Sequence, residues 1–372
     1  MLCSFSNLTN LWQKQTQRIL ETMPKYGSEC NKNPQAIQDS GNILYDAIKP
    51  LFILTQWFGL FLVTNLESSK NMKPSALLSF LRIPGLIIIG YQVHYIFNTF
   101  SSVFHVLRHY GSHEKMPYLT ITMILYDRLN GLIILFYLII KSKEFPLYFS
   151  NWKPLNPMLQ EVKGSLQRLS ITAITVSLLL TLTQTFLVAE FQEKVSSTYM
   201  AIYLSTCFLL NYAVLFIQAC FLIFAKALFI GFKAVTREME ELFLDQYGTG
   251  ATFDKNHFSK RLLKIRQNHQ HLCNLTKQTT DLLHPALFIV IVSIVISQLA
   301  AFYGLYYTII RQSNTFYLAL LALLLYVVVI RIIPLAGMCH LGENVRTQVR
   351  NCIYMLINFA ELRVCLPKLS RE

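Results

Sequence analysis

The stretch YMAIYLSTCFLLNYAVLFIQACFLIFAKALFIG, residues 199–231, decides the fold. It holds one charge, Lys226, and is far too long for a buried strand. Crossing ~30 Å of hydrocarbon takes roughly 20 residues of helix. In lipid every backbone N–H and C=O must find its partner inside the segment, so an unbroken apolar run of this kind is helical. This one is long enough to continue beyond the membrane as a straight helix.

Working outward, six further apolar runs lie at Ile48–Thr64, Pro84–Val106, Pro117–Ile140, Arg168–Phe191, His284–Ile310 and Thr315–Met338. The first is the weakest, with Lys49 and Pro50 at its entry and Gln56 and Gly59 inside. Over its 372 residues the chain is 53% apolar and 14% charged, with a mean hydropathy of +0.40. A water-soluble fold covers its core with more charge than that, so the solvent for most of the chain is lipid.

The formal net charge of +13 reads as a topology signal rather than a nucleic-acid footprint, because Lys and Arg concentrate on cytoplasmic loops. If the first run does not span, the inside connections carry Lys70, Lys73, Arg82, Lys141, Lys143, Lys153 and Lys163, then the basic stretch from Lys233 to Lys277. The outside loops then hold Arg108, Lys115, Lys194 and Arg311. Were the first run to span with the N-terminus inside, most of those basic connections would face outward. The expected fold is therefore all-α: a polytopic membrane helix bundle of six spans plus an N-terminal re-entrant or interfacial helix. Residues 1–47 form a cytosolic N-terminus without a secretory leader. Residues 48–338 form the bundle, with a cytosolic helical extension at 236–281, and 339–372 form a cytosolic tail. Eight cysteines without a Cys-x-x-Cys pair give no disulfide framework or zinc ribbon.

Asp127 and Arg128 fall about a third of the way into the third run, where an unpaired charge costs at least ~2.5 kcal/mol. They fit a structural ion pair, with Arg331 serving Asp127, or a ligand or ion role. Gln298, Phe302 and Tyr306 recur at four-residue intervals in the outer half of the sixth run, with Tyr303 beside them. An amide and aromatic rings on one helical face suit a small organic ligand, and so do Asn211, Tyr212, Gln218 and Gln184 on the fifth and fourth runs. Interhelical hydrogen bonding is the competing reading for each amide. His105, His109 and His113, four apart, fit an exposed polar loop better than a metal site. His269 and His271 point to different faces. The glycosylation acceptors at Asn7 and Asn274 fall on the side read as cytosolic, so neither is expected to be modified. No Ser/His/Asp set, phosphate-binding glycine loop or acidic metal cluster supports catalysis, and no cofactor or metal is expected.

Several stretches resemble one family in order and spacing. Pro50–Leu60 resembles the N-terminal apolar segment of the insect gustatory and odorant receptor superfamily, with Phe61 or Leu62 where that family commonly has Pro. Lys141-Ser142-Lys143-Glu144-Phe145 resembles the basic turn after its second helix. Ile265-Arg266-Gln267-Asn268-His269-Gln270-His271-Leu272, running into Leu283–Tyr307, is similar to its cytosolic helix that continues into the fifth membrane helix. Cys339-His340-Leu341 with Glu343 and Arg346 resembles the stretch after the sixth.

The resemblance implies a gustatory receptor subunit of the plasma membrane that binds a small-molecule tastant among the outer halves of its spans. It also implies a homo- or hetero-tetramer of related subunits gating a cation channel, with membrane lipid but no nucleic acid as a partner. The family's seventh helix, carrying Thr-Tyr, five apolar residues and Gln-Phe, lines the ion path and is not found before Glu372. The expectation is a truncated or divergent variant that does not conduct alone. A secondary transporter would show internal repeats and broken helices at mid-membrane. A G-protein-coupled receptor would place the N-terminus outside; the pair Asp127-Arg128 is too short a match to support one.

Overall fold

The computed structural model of the chain describes residues 42–57, 63–64, 73–74, 90–91, 93–94, 97–98, 115–142, 144–190, 197–248, 255–311, 325, 328–329 and 332–355. Its helices are α1 (Ile43–Trp57), α2 (Lys115–Lys141), α3 (Glu144–Ser150), α4 (Asn156–Leu159), α5 (Lys163–Glu190), α6 (Ser197–Gly248) and α7 (Lys255–Arg311). Residues 332–355 form a further helix, α8. Short 3-10 turns at Lys153–Leu155 and Gln160–Val162 flank α4. The extended exception among the described residues is a two-residue antiparallel pairing of Val63–Thr64 with Lys73–Pro74. The fold is an all-α bundle, as its apolar runs predict.

The stretch 199–231 lies within α6, a single helix of 52 residues, and α7 has 57. At 1.5 Å per residue these are about 78 and 86 Å long, roughly twice the full thickness of a bilayer. By length and composition, Leu210–Leu244 and Phe258–Tyr303 are each apolar and long enough to cross a membrane. Helices of this length that cross a membrane near its normal extend beyond it. α2 matches the predicted third run within two residues at each end. α5 starts at Lys163, five residues before the expected Arg168, because the chain enters it through the 3-10 turn without a break. Most of the second run and most of the seventh, with their share of the span count, lie outside the described residues.

α2, α6 and α7 pack against one another, and α5 packs on α6 and α1. Helices in lipid associate through close packing rather than through a hydrophobic drive, so small residues mark the crossings. At Gly131 an added Cβ would lie 2.8 Å from Leu210 Cβ and 3.3 Å from the Leu210 carbonyl oxygen. At Gly231 it would lie 2.6 Å from Leu272 Cδ2. Gly131 lets α2 meet α6 nearly backbone to backbone, and Gly231 leaves room on α6 for the Leu272 side chain of α7.

α1 is 15 residues long, about 22 Å, and as described it is shorter than the hydrocarbon layer. Its described residues reach Trp57, and residues 58–62 of the predicted apolar run to Thr64 lie outside the description. Asn42 caps it: its Oδ1 accepts from the Tyr45 N–H at 3.1 Å, and its Nδ2 donates to the Phe149 carbonyl. The Ile43 N–H donates to Asn156 Oδ1 at 3.2 Å. Ile43, Leu44, Tyr45, Ala47, Ile48, Leu51 and Phe52 are buried, so this helix packs against protein along most of its length.

Its partner is the segment between α2 and α5. Phe145, Tyr148, Phe149 and Trp152 recur at helical spacing and are all buried. Phe52 meets the rings of Phe145, Phe149 and Phe216 edge-on at 5.4–5.5 Å. Tyr148 meets Phe224 at 4.8 Å. Such edge-on pairs add ~0.5–1.5 kcal/mol each beyond the area they bury. Together they fasten α1, α3 and α6 into one aromatic core.

Candidate ligand site and aromatic clasp

Gln298, Phe302, Tyr303 and Tyr306 all lie on α7, as their spacing requires. Gln298 is half-buried and its Nε2 donates to the Val328 carbonyl at 3.2 Å. Its Oε1 is shielded from solvent and has no hydrogen-bond partner among the described residues. A buried amide with one end satisfied and the other open is poised to accept from a further donor. Phe302, Tyr303 and Tyr306 are 54%, 46% and 66% exposed. They continue an outward-facing stripe from Phe288, Ile291, Val295 and Leu299. The described residues do not enclose them.

On α6, Tyr212 is fully buried, and its hydroxyl lies 3.2 Å from Thr55 Oγ1 of α1. Thr55 in turn donates to the Leu51 carbonyl at 2.6 Å. Asn211 beside it is half-buried. Tyr212 and Gln298 are thus not brought to one surface: the first is sealed under α1 and the second faces residue 328. Gln184 lies in α5, and Asp127 and Arg128 lie in α2, with their side chains outside the description. Arg331 falls outside it altogether, so the expected ion pair does too. His105, His109 and His113 are likewise outside.

The polar chemistry that the structure does bring together sits at the other end of the bundle. His271 Nε2 donates to the Asn151 carbonyl at 2.6 Å, and Asn151 Nδ2 donates to Gln278 Oε1 at 2.9 Å. The Tyr148 hydroxyl lies 2.7 Å from Thr279 Oγ1, and the Tyr137 hydroxyl donates to the Leu282 carbonyl at 2.7 Å. Burial holds the Tyr148 phenol protonated, far above its ordinary range. The α2–α5 connection, which the sequence reading treated as a basic turn, is a clasp on α7. The spacing of Phe145, Tyr148, Phe149 and Trp152 was the signal that could have found it.

His269 faces the opposite way from His271, as the sequence indicates. It is buried against Phe232 at 5.7 Å, and Cys273 Sγ lies 3.8 Å from its Nδ1. Burial pushes its pKa down to about 4, so it is neutral at physiological pH. Cys352 of α8 lies 2.9 Å from Thr236 Oγ1, and its thiol donates to the Phe232 carbonyl at 3.4 Å. Burial raises the Cys273 and Cys352 thiols to about 12 and about 11. Such thiols are inert packing groups. Among the described residues no group of three His, Cys, Asp or Glu side chains could hold a metal ion.

The chain was compared with known proteins on this background. No curated protein matches it. The sequence profile of the 7tm chemosensory receptor family matches residues 48–372, which takes in α1 from Ile48 on, the aromatic clasp, both long helices and α8. With that match over most of its length, the chain belongs to the 7tm chemosensory receptor family and is a membrane protein.

Proposed function

We propose that this chain is a gustatory receptor subunit of the plasma membrane, not an enzyme, with its N-terminus in the cytosol. It binds a small organic tastant beside α7, in contact with Gln298, Phe302, Tyr303 and Tyr306, and assembles with related subunits as a tetramer that gates cation entry. Family membership over residues 48–372 is the observation that carries the reading. The open Oε1 of Gln298 supports this location for the ligand, since it can accept a hydrogen bond from a hydroxyl or ammonium beside aromatic rings. The exposed side chains Phe302, Tyr303 and Tyr306 suit a site completed by the opposite wall of the bundle or by a neighbouring subunit. Tyr212 and Asn211 act one layer deeper, with Thr55 holding the Tyr212 hydroxyl. A ligand shifts the gate only by binding the open state more tightly than the closed one.

The test is a melting screen of purified protein against a panel of tastants. A ligand at ten times its Kd stabilises by about 1.4 kcal/mol, enough to read as a shift. Q298A, F302A and Y306A should each reduce the shift while surface expression stays near normal. A ligand whose shift survives all three substitutions binds elsewhere. A binding ligand that evokes no cation entry, in cells co-expressing related subunits, would overturn the gating half of the reading.

A further inference from the structure

The middle of α7 combines features that weaken a helix. Thr276, Thr279 and Thr280 each turn their hydroxyl back onto a carbonyl four residues earlier, Leu272, Leu275 and Thr276, at 2.8–2.9 Å. Back-bonding of this kind loosens and bends helices. Pro285 follows inside the same helix. It has no N–H for the Asp281 carbonyl, and its ring crowds that carbonyl, which also disturbs the neighbouring turn. The stretch 276–285 lies where the watery extension of α7 passes into its apolar part.

The same stretch is where two other elements reach in. Tyr137 of α2 donates to the Leu282 carbonyl, in the turn that Pro285 disturbs. Tyr148 of α3 bonds Thr279 Oγ1, the second of the three back-bonding hydroxyls. Asn151 holds Gln278 and, through its carbonyl, His271. None of these contacts is needed to complete the bundle's apolar packing. Three of these four contacts, those to Gln278, Thr279 and Leu282, fall within the stretch 276–285 itself.

We infer that residues 276–285 of α7 are a hinge, and that the Tyr137 and Tyr148 hydroxyls are its latch, so that the bend between the membrane part of α7 and its extension is set by α2 and α3. α2 also touches α6 at Gly131, so a shift of α2 within the membrane moves the latch. The device requires no particular ligand, and it stands or falls separately from the tastant site.

The experiment is hydrogen exchange of the full chain in lipid nanodiscs, followed peptide by peptide. Tyr137→Phe removes one hydroxyl and keeps the ring. It should speed exchange in peptides covering 276–290 roughly five- to tenfold, the loss of one net hydrogen bond, with peptides from the middle of α6 unchanged. Tyr148→Phe should act on the same peptides. Pro285→Ala restores a donor for the Asp281 carbonyl, so adding it to Tyr137→Phe should bring exchange back toward the parent rate. Unchanged exchange in 276–290 in both tyrosine variants overturns the latch. Acceleration spread evenly over all helices, or no rescue by Pro285→Ala, overturns the hinge.

Discussion

Replacing Gly131 by Ala tests whether α2 and α6 meet as closely as the structure has them. The new Cβ would sit 2.8 Å from Leu210 Cβ and 3.4 Å from the Leu210 carbonyl carbon, where carbon atoms rest comfortably at about 3.5–4.0 Å. The atoms in the way belong to the backbone and first carbon of Leu210, so no rotamer change relieves the contact. The helices must part by about 1 Å. Overpacking of this kind costs about 1–3 kcal/mol. Ala also gains about 1 kcal/mol over Gly inside a helix, which would hide part of the loss. Gly342 supplies the correction, because nothing lies within 4 Å of a Cβ there and it too is helical. The difference between G131A and G342A therefore isolates the packing cost, and G131A should melt several degrees below G342A. G231A should fall between them, since it meets only the tip of Leu272. Apparent melting temperatures from fluorescence-detected size exclusion give the ranking. G131A melting with or above G342A would refute the close crossing.

Two further predictions concern the extension. The His269 pKa is about 4 in the folded chain against 6.5 unfolded, so its contribution is intact above pH 6.5 and is lost as pH falls toward 4. At pH 5 the cost is about 2 kcal/mol, and His269→Leu should flatten the pH dependence of melting between pH 7.5 and 5; an unchanged dependence would show that His269 is solvated. A double-mutant cycle on Thr236→Val and Cys352→Ala should return a coupling of about 0.5–1 kcal/mol, whereas strictly additive losses would mean that the two side chains do not meet.

The long helices were legible because lipid leaves an apolar run no other structure: residues 199–231 dictate α6 by themselves. The amphipathic pattern of Leu262, Ile265, Leu272 and Leu275 likewise predicted a packed face on α7, where Ile265, Leu272 and Leu275 are buried. What escaped was pairing. Phe145, Tyr148, Phe149 and Trp152 announce a helical face, but nothing in their spacing says that α1 covers it. α1 read as re-entrant or interfacial because a spanning first run would turn the basic connections outward, but that reading did not say that its described residues pack on protein through Asn42 and Phe52. The polar residues of the spans were picked out by type. Their partners were invisible, because the Gln298 amide bonds a backbone carbonyl, that of Val328, and every residue carries one. Tyr212 and Thr55 lie far apart in sequence, and only the fold joins them.

In the proposed topology the sensing surface lies outside the cell and both chain ends lie inside it. Tags before Met1, after Glu372 and between residues 191 and 196, where the chain passes from α5 to α6, can be labelled on intact and on permeabilised cells. The account predicts labelling of the α5–α6 tag on intact cells, with both terminal tags appearing only after permeabilisation. Surface labelling of either terminus, or an α5–α6 tag that stays hidden until permeabilisation, would contradict it.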